Sequence, residues 1–226
     1  MRFPLLITLS LAVAVAANDL EKARDAQDRP ALEAQIRELT EAAQKQNGDP
    51  NAQFRLALAN SYLAEIAMEM RDKNLSREAA ENGMRAAEKA VALNEDSAEY
   101  HRILGTLCGQ VIPANVLLGI RYGKCALQEV NRAIELNPKS ALAWVSRGVG
   151  NYYLPAQFGG GVDKAIQDFE KAIQLDPKLA EAHLWLGVAL RKANRNAEAR
   201  KALEKSLQLN PRRLWAKQQL EKTPAH

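Results

Sequence analysis

Apolar residues recur at helical spacing along almost the whole chain. Leu32, Ile36, Leu39 and Ala43 make one stripe; Asp28 and Pro30 open it, and Asn47-Gly48 end it. That predicts an amphipathic helix with its own start and stop signals. Asn18-Asp19 starts a shorter, more polar helix upstream. Further on, the pattern copies itself. The stretch from Ala165 through Phe169 and Ala172 to Pro177 returns from Ala199 through Leu203 and Ser206 to Pro211, an offset of 34 residues. A fixed period of this length, closed by Pro, predicts a solenoid of helix–turn–helix units. One helix pair cannot bury its apolar face alone, so neighbours must stack.

The units resemble tetratricopeptide repeats (TPR). The last carries His183, Leu186 and Gly187 in its first helix (A) and Ala199, Leu203 and Ser206 in its second (B), closed by Pro211. The one before has Trp144 and Gly148, then Ala165, Phe169, Ala172 and Pro177. An earlier one has His101, Leu104 and Gly105, then Ala126, Val130, Ala133 and Pro138. A degenerate first repeat has Leu58, Ala59 and Tyr62, then Gly83, Ala87 and Ala90, with Glu95 in the place of Pro. The small residues let helices A and B cross closely, and Pro ends each helix B. The resemblance implies an all-α, right-handed superhelical solenoid. Residues 18–48 would form N-terminal capping helices, and 49–222 about four repeats plus a C-terminal capping helix from Pro211. Residues 223–226 would be a frayed tail.

Two A–B turns are lengthened, at Pro155–Gly161 and between Gly109 and Gly123. They should protrude from one edge of the array. The Pro-x-x-Phe-Gly-Gly element of the first looks like that of exported bacterial TPR proteins. Gly159-Gly160-Gly161 also invites a phosphate-loop reading, but no Gly-Lys-Ser/Thr follows and no strand precedes it. A flexible turn with Phe158 packed back on the repeat is the expectation.

The N-terminus changes the cellular picture. Arg2 is followed by an uncharged, almost wholly apolar run from Phe3 to Ala17, ending in small residues. That pattern predicts a signal peptide, residues 1–17, and is too short for a membrane span. The mature chain is expected to be periplasmic or secreted, without membrane insertion. Cys108 and Cys125, the only two cysteines, then have an oxidising context. Two readings stand open: a disulfide, or two separate buried thiols.

The chain has 226 residues, 26% charged, with net charge +4 and both signs mixed along every helix. Without a Lys/Arg stripe interleaved with aromatics, no nucleic-acid partner is expected. The densest basic run, Arg191 to Lys201 and then Arg212, Arg213 and Lys217, reads as a solvated helix face. His101 and His183 share the repeat position of Trp144, which suits half-buried packing rather than a metal. No catalytic or cofactor motif is present. Asn74-Leu75-Ser76 matches a glycosylation sequon by pattern.

By the TPR resemblance, the A helices line a concave groove. Its lining here is Arg102, Thr106, Val145, Val149, Tyr152, Tyr153, Leu184, Val188, Arg191 and Lys192. Val145, Val149 and Leu184 stand where a carboxylate clamp needs polar residues, so chaperone C-termini are disfavoured. Arg147 replaces the usual Leu of the repeat, as a salt-bridged residue or as an anion contact in the groove. The expected function is an exported, non-enzymatic scaffold gripping a segment of another protein, with no metal or cofactor. The alternative is a small-ligand-binding helper of a solute transporter.

Overall fold

Short polar side chains set several helix starts. The carboxylates of Asp28, Asp49 and Asp72 accept from the backbone N–H of Ala31, Asn51 and Leu75, and Ser140 does the same for Ala143. Each satisfies a donor that the helix end leaves orphaned, a contribution of about 1 kcal/mol. The computed structural model describes residues 19–112 and 117–225; the expected leader, residues 1–17, lies outside them. Helix α1 covers residues 19–25. It is followed by α2 (Arg29–Lys45), α3 (Pro50–Glu69), α4 (Lys73–Leu93), α5 (Ala98–Val111), α6 (Leu118–Leu136), α7 (Ala141–Tyr153), α8 (Val162–Leu175), α9 (Ala180–Lys192), α10 (Asn196–Leu209) and α11 (Leu214–Glu221). No strand occurs among the described residues.

The pairs are α3 with α4, α5 with α6, α7 with α8 and α9 with α10. The A helices α3, α5, α7 and α9 touch one another in succession and form the inner layer. The fold is a TPR solenoid. Helix α2 stacks on α3 at one end and α11 on α10 at the other. Close crossings fall at the small residues. A Cβ on Gly148 would lie 2.5 Å from Cε1 of Phe169, whose ring is fully buried. Gly105 and Gly187 face Val130 and Leu203 in the same way. In the first repeat, a Cβ on Gly83 would lie 2.8 Å from Asn60 Cβ and from Leu107 Cδ2, and on helix A it is Asn60 rather than Ala59 that it meets. Its helix A therefore sits one residue later than the pattern suggests.

The turn after α7 departs from expectation. Phe158 does not pack back on the repeat; it is 70% exposed. The turn is held without it. Gly159 and Gly161 take positive φ (91° and 111°), and Gly161 N–H donates to the carbonyls of Asn151 and Leu154. Lys164 Nζ donates to the Gly159 carbonyl at 2.7 Å. Of the other lengthened turn, residues 113–116 lie outside those described. On its two sides Cys108 and Cys125 form a disulfide between α5 and α6, with Cα atoms 6.0 Å apart.

Candidate functional site

One position recurs at the start of helix A. Trp144 Nε1 donates to the Pro138 carbonyl at 3.0 Å. His183 Nε2 lies 3.0 Å from the Pro177 carbonyl, and His101 Nε2 lies 2.8 Å from that of Glu95. In each case a ring nitrogen ties one repeat to the residue that closes the repeat before it. This explains why two histidines and a tryptophan share one place. His101 also pairs through Nδ1 with Glu129 at 2.6 Å.

The expected groove residues divide into two groups. Arg102, Val145, Leu184 and Val188 are buried, contrary to the expectation of a solvent-facing lining. Val145, Leu184 and Val188 belong to a core cluster that also holds Trp185 and Ala216 of α11. Arg102 is turned onto Glu99 at 2.9 Å. Thr106 bonds to Ser146 of the next helix A. Arg191 is occupied by the backbone and side chain of Gln219. Accessible surface remains at Val149, Tyr152, Tyr153 and Lys192. The Tyr152, Tyr153, Trp185 and Trp215 rings form an aromatic strip with centroids 5.0 to 6.3 Å apart. Lys192 Nζ sits 4.1 Å from the centre of the Tyr152 ring and donates to the Tyr152 carbonyl. Tyr153 is 53% exposed. Arg147 is the salt-bridged residue of the two alternatives. It forks onto Asp168, whose other oxygen accepts from Asn151, and lies over the Trp144 ring.

Part of the inner surface is already occupied. Helix α2 takes the expected capping place against α3, whereas α1 lies along the inner layer. Leu20 and Ala23 are buried in the core of the first two repeats. The Arg24 guanidinium sits 4.8 Å above the Tyr62 ring of α3. Asp25 accepts from Asn210 Nδ2 at 2.6 Å. Gln27 donates to Glu69 at 2.7 Å and accepts from Gln218 at 3.2 Å. Helix α1 and the turn after it thus join the first repeat to the last.

Arg213 is the centre of this junction. The sequence pattern places it on a solvated face, but it is 1% exposed, the residue before α11. Its guanidinium bonds Glu65 at 2.6 Å and also bonds Glu69. Glu181 and Asp25 stand 3.6 and 3.8 Å from Nε. With Arg24, two cations face four carboxylates. Burial pushes the Glu65 carboxyl up to about 7, against the pull of Arg213 and with Glu181 adding to the rise. Burial also raises Glu69, again opposed by Arg213. For Arg24, burial acts downward, but Glu181, Glu65, Tyr62 and Asp25 together outweigh it and hold the guanidinium above the ordinary arginine range. The cluster is incompletely satisfied: Glu181 Oε1 and Arg213 Nε are buried without a hydrogen-bond partner.

The pattern of the regulator of microtubule dynamics protein 1-3 family matches residues 17–154, well over half of the sequence. The chain belongs to this family. TPR patterns match residues 159–193 and 180–213. Regulator of microtubule dynamics protein 3 of Rattus norvegicus is 28% identical over 173 residues, covering 69% of this chain and 36% of the relative. The counterpart in Mus musculus is 27% identical over the same length. The chain thus spans about a third of the length of these curated relatives. Two solved structures share the fold. A thermophilic TPR protein of Thermus thermophilus has a TM-score of 0.63 at 19% identity, covering 92% of this chain and 97% of that one. The HusA haemophore of Porphyromonas gingivalis has 0.61 at 20%, covering 80% and 93%. At such identities the likeness shows the fold alone.

Within this family member, the inner-surface residues that sequence reasoning missed are Arg24, Tyr62, Glu65, Glu69, Glu181 and Arg213. A faint signal existed. Glu65 and Glu69 are one helical turn apart in an otherwise apolar stretch of α3, and carboxylates on a buried stripe need a cation from somewhere.

Proposed function

We propose that the chain is an exported, non-enzymatic repeat scaffold that grips a segment of another protein on its inner surface. The observation that carries this reading is the aromatic strip. Tyr153 is 53% exposed beside Tyr152 and Trp185, and half-covered aromatics on rigid helices are the residues that dominate interface energy. Lys192 borders the strip and would orient the incoming segment. Export is supported by the apolar run after Arg2 and by the Cys108–Cys125 disulfide, which suits an oxidising compartment. The relatives are named for regulating microtubule dynamics, but this chain spans only 36% of the rat protein; the part carried over to this chain is a protein-binding repeat module.

The tests are a mass measurement and a capture assay. The chain from its native host should begin after Ala16 or Ala17 and hold no alkylatable thiol; an intact Met1 and two free thiols would defeat the export reading. Tyr153→Ala should keep the helical circular dichroism of the parent and lose captured partner. Undiminished capture by Tyr153→Ala, with loss in variants of the Pro155–Gly161 turn, would move the binding surface to the protruding edge.

A further inference from the structure

We propose that the inner surface takes an α-helical segment of a partner patterned like α1, with a leucine, an alanine three residues on and then Arg-Asp, and that this segment enters by displacing α1. The inference rests on the functional reading above and names the class of partner. Its basis is that the seat is filled and its recognition groups are visible. Leu20 and Ala23 fill an apolar slot, 1% and 6% exposed. Arg24 lies over the Tyr62 ring and pairs with Asp25 of its own helix at 2.7 Å, with the charges of Glu181 and Glu65 acting on it from the receptor. Asp25 enters an anion seat made by Asn210, at 2.6 Å, and Arg213. Leu20, Ala23 and Arg24, at i, i+3 and i+4, share one face of the helix, and Asp25 follows beside them, bonded to Arg24.

Three features make α1 an exchangeable occupant rather than a fixed part of the core. It is residues 19–25 only, and a helix that short has no stability of its own in water. Its apolar hold is two side chains, Leu20 and Ala23, and its polar contacts lie in a cluster that leaves Glu181 Oε1 unpartnered. It can also leave without unfolding its neighbour. The link to α2 is Gln27 at φ 53°, and α2 is capped by its own Asp28. A partner must outcompete a tethered segment, whose effective concentration is high. Tyr153 of the inner-layer helix α7, 53% exposed, is surface that α1 leaves uncovered for a partner to use.

The test uses the intact chain, Leu20→Asp, and a fluorescein-labelled synthetic peptide of residues 18–28. Leu20→Asp alters the occupant and leaves the seat unchanged. The peptide should bind Leu20→Asp at least about tenfold more tightly than wild type, because α1 no longer reduces the competent fraction. The peptide carrying Arg24→Glu should lose that binding. In wild type, hydrogen exchange of the 19–27 amides should run at least about tenfold faster than in α3, through local opening. Equal peptide affinity for the two chains would overturn the proposal. So would failure of Leu20→Asp to fold, or exchange of 19–27 in step with α3, since α1 would then be core. A wild-type dimer abolished by Leu20→Asp would overturn it in favour of α1 exchange between two copies. Loss of partner capture by Tyr153→Ala, without a gain for Leu20→Asp, would overturn only the displacement and leave the groove reading standing.

Discussion

Replacing Arg213 by Met removes a buried charge while keeping most of the side chain's volume. The guanidinium bonds Glu65 and Glu69 and lies near Glu181 and Asp25. Without it, Arg24 is the cation left facing these four carboxylates among the described residues of the cluster. Breaking a buried ion pair from one side costs about 3–5 kcal/mol, because the remaining charge is stranded. The carboxyls can escape by binding protons, and that makes the loss depend on pH. Glu65 has a folded pKa of about 7 against 4.5 for the free side chain. A carboxyl raised in this way favours the folded state below the unfolded value, and the gain disappears as pH rises through the folded value. In wild type the decline from this group therefore lies between about pH 4.5 and 7. In Arg213→Met the folded pKa rises further, so the decline continues above pH 7 at about 1.4 kcal/mol per unit for each carboxyl. Urea unfolding at about pH 5.5 and 8 measures both slopes. Far-UV circular dichroism follows the helices. Tryptophan fluorescence follows Trp144, Trp185 and Trp215 together, the last with its ring centre 5.6 Å from the Arg213 guanidinium carbon. The variant should lose about 3 kcal/mol or more near pH 8 and clearly less near pH 5.5. A loss below about 1 kcal/mol near pH 8, or one equal at both pH values, would refute the account of Arg213 as counter-charge to buried carboxylates.

Gly148→Leu should destabilise by at least about 1–3 kcal/mol, because its Cβ alone would stand 2.5 Å from the Phe169 ring; an unchanged melting temperature would remove the close crossing as its cause. Reduction of Cys108–Cys125, 17 residues apart in sequence, should lower stability by about 3 kcal/mol, and unfolding curves that coincide with and without reductant would count against the bridge as a constraint.

The repeat was legible because its physics is local. Gly148 and Phe169, Gly187 and Leu203, and the closing prolines lie within one unit and recur with it, so a single sequence displays the rule several times. The groove was legible only as a set of positions. Tyr153 is exposed as that set implies, but Leu184 and Val188 are buried in the cluster that includes Ala216, and nothing local in α9 signals that α11 packs there. The junction at Arg213 was illegible for the same reason. Its partners are far away in sequence: Glu65 is 148 residues off, and Asn210 is 185 from Asp25. Each charged residue, taken within its own helix, looks like an ordinary solvated side chain. The misread Phe158 is a different case. The glycines and Lys164 hold that turn through backbone carbonyls, leaving the aromatic ring no structural task.

Solenoids ordinarily fold and fray as a line, with each unit answerable only to its neighbours. The contacts of Gln27 with Gln218, of Asp25 with Asn210 and of Arg213 with Glu65 and Glu69 join the two ends of that line. The order of synthesis then matters. The first repeat leaves the ribosome with Glu65 and Glu69 already destined for burial, yet Arg213 is made 144 residues after Glu69. Until then the acidic stripe has Arg24 but not Arg213 to balance it, and its final packing waits for Arg213. A chain cut before Arg213 would therefore lose stability at its far end as well as at the cut. Distant contacts of this kind slow folding, so the closing of the array should lag behind the pairing of helices within each repeat.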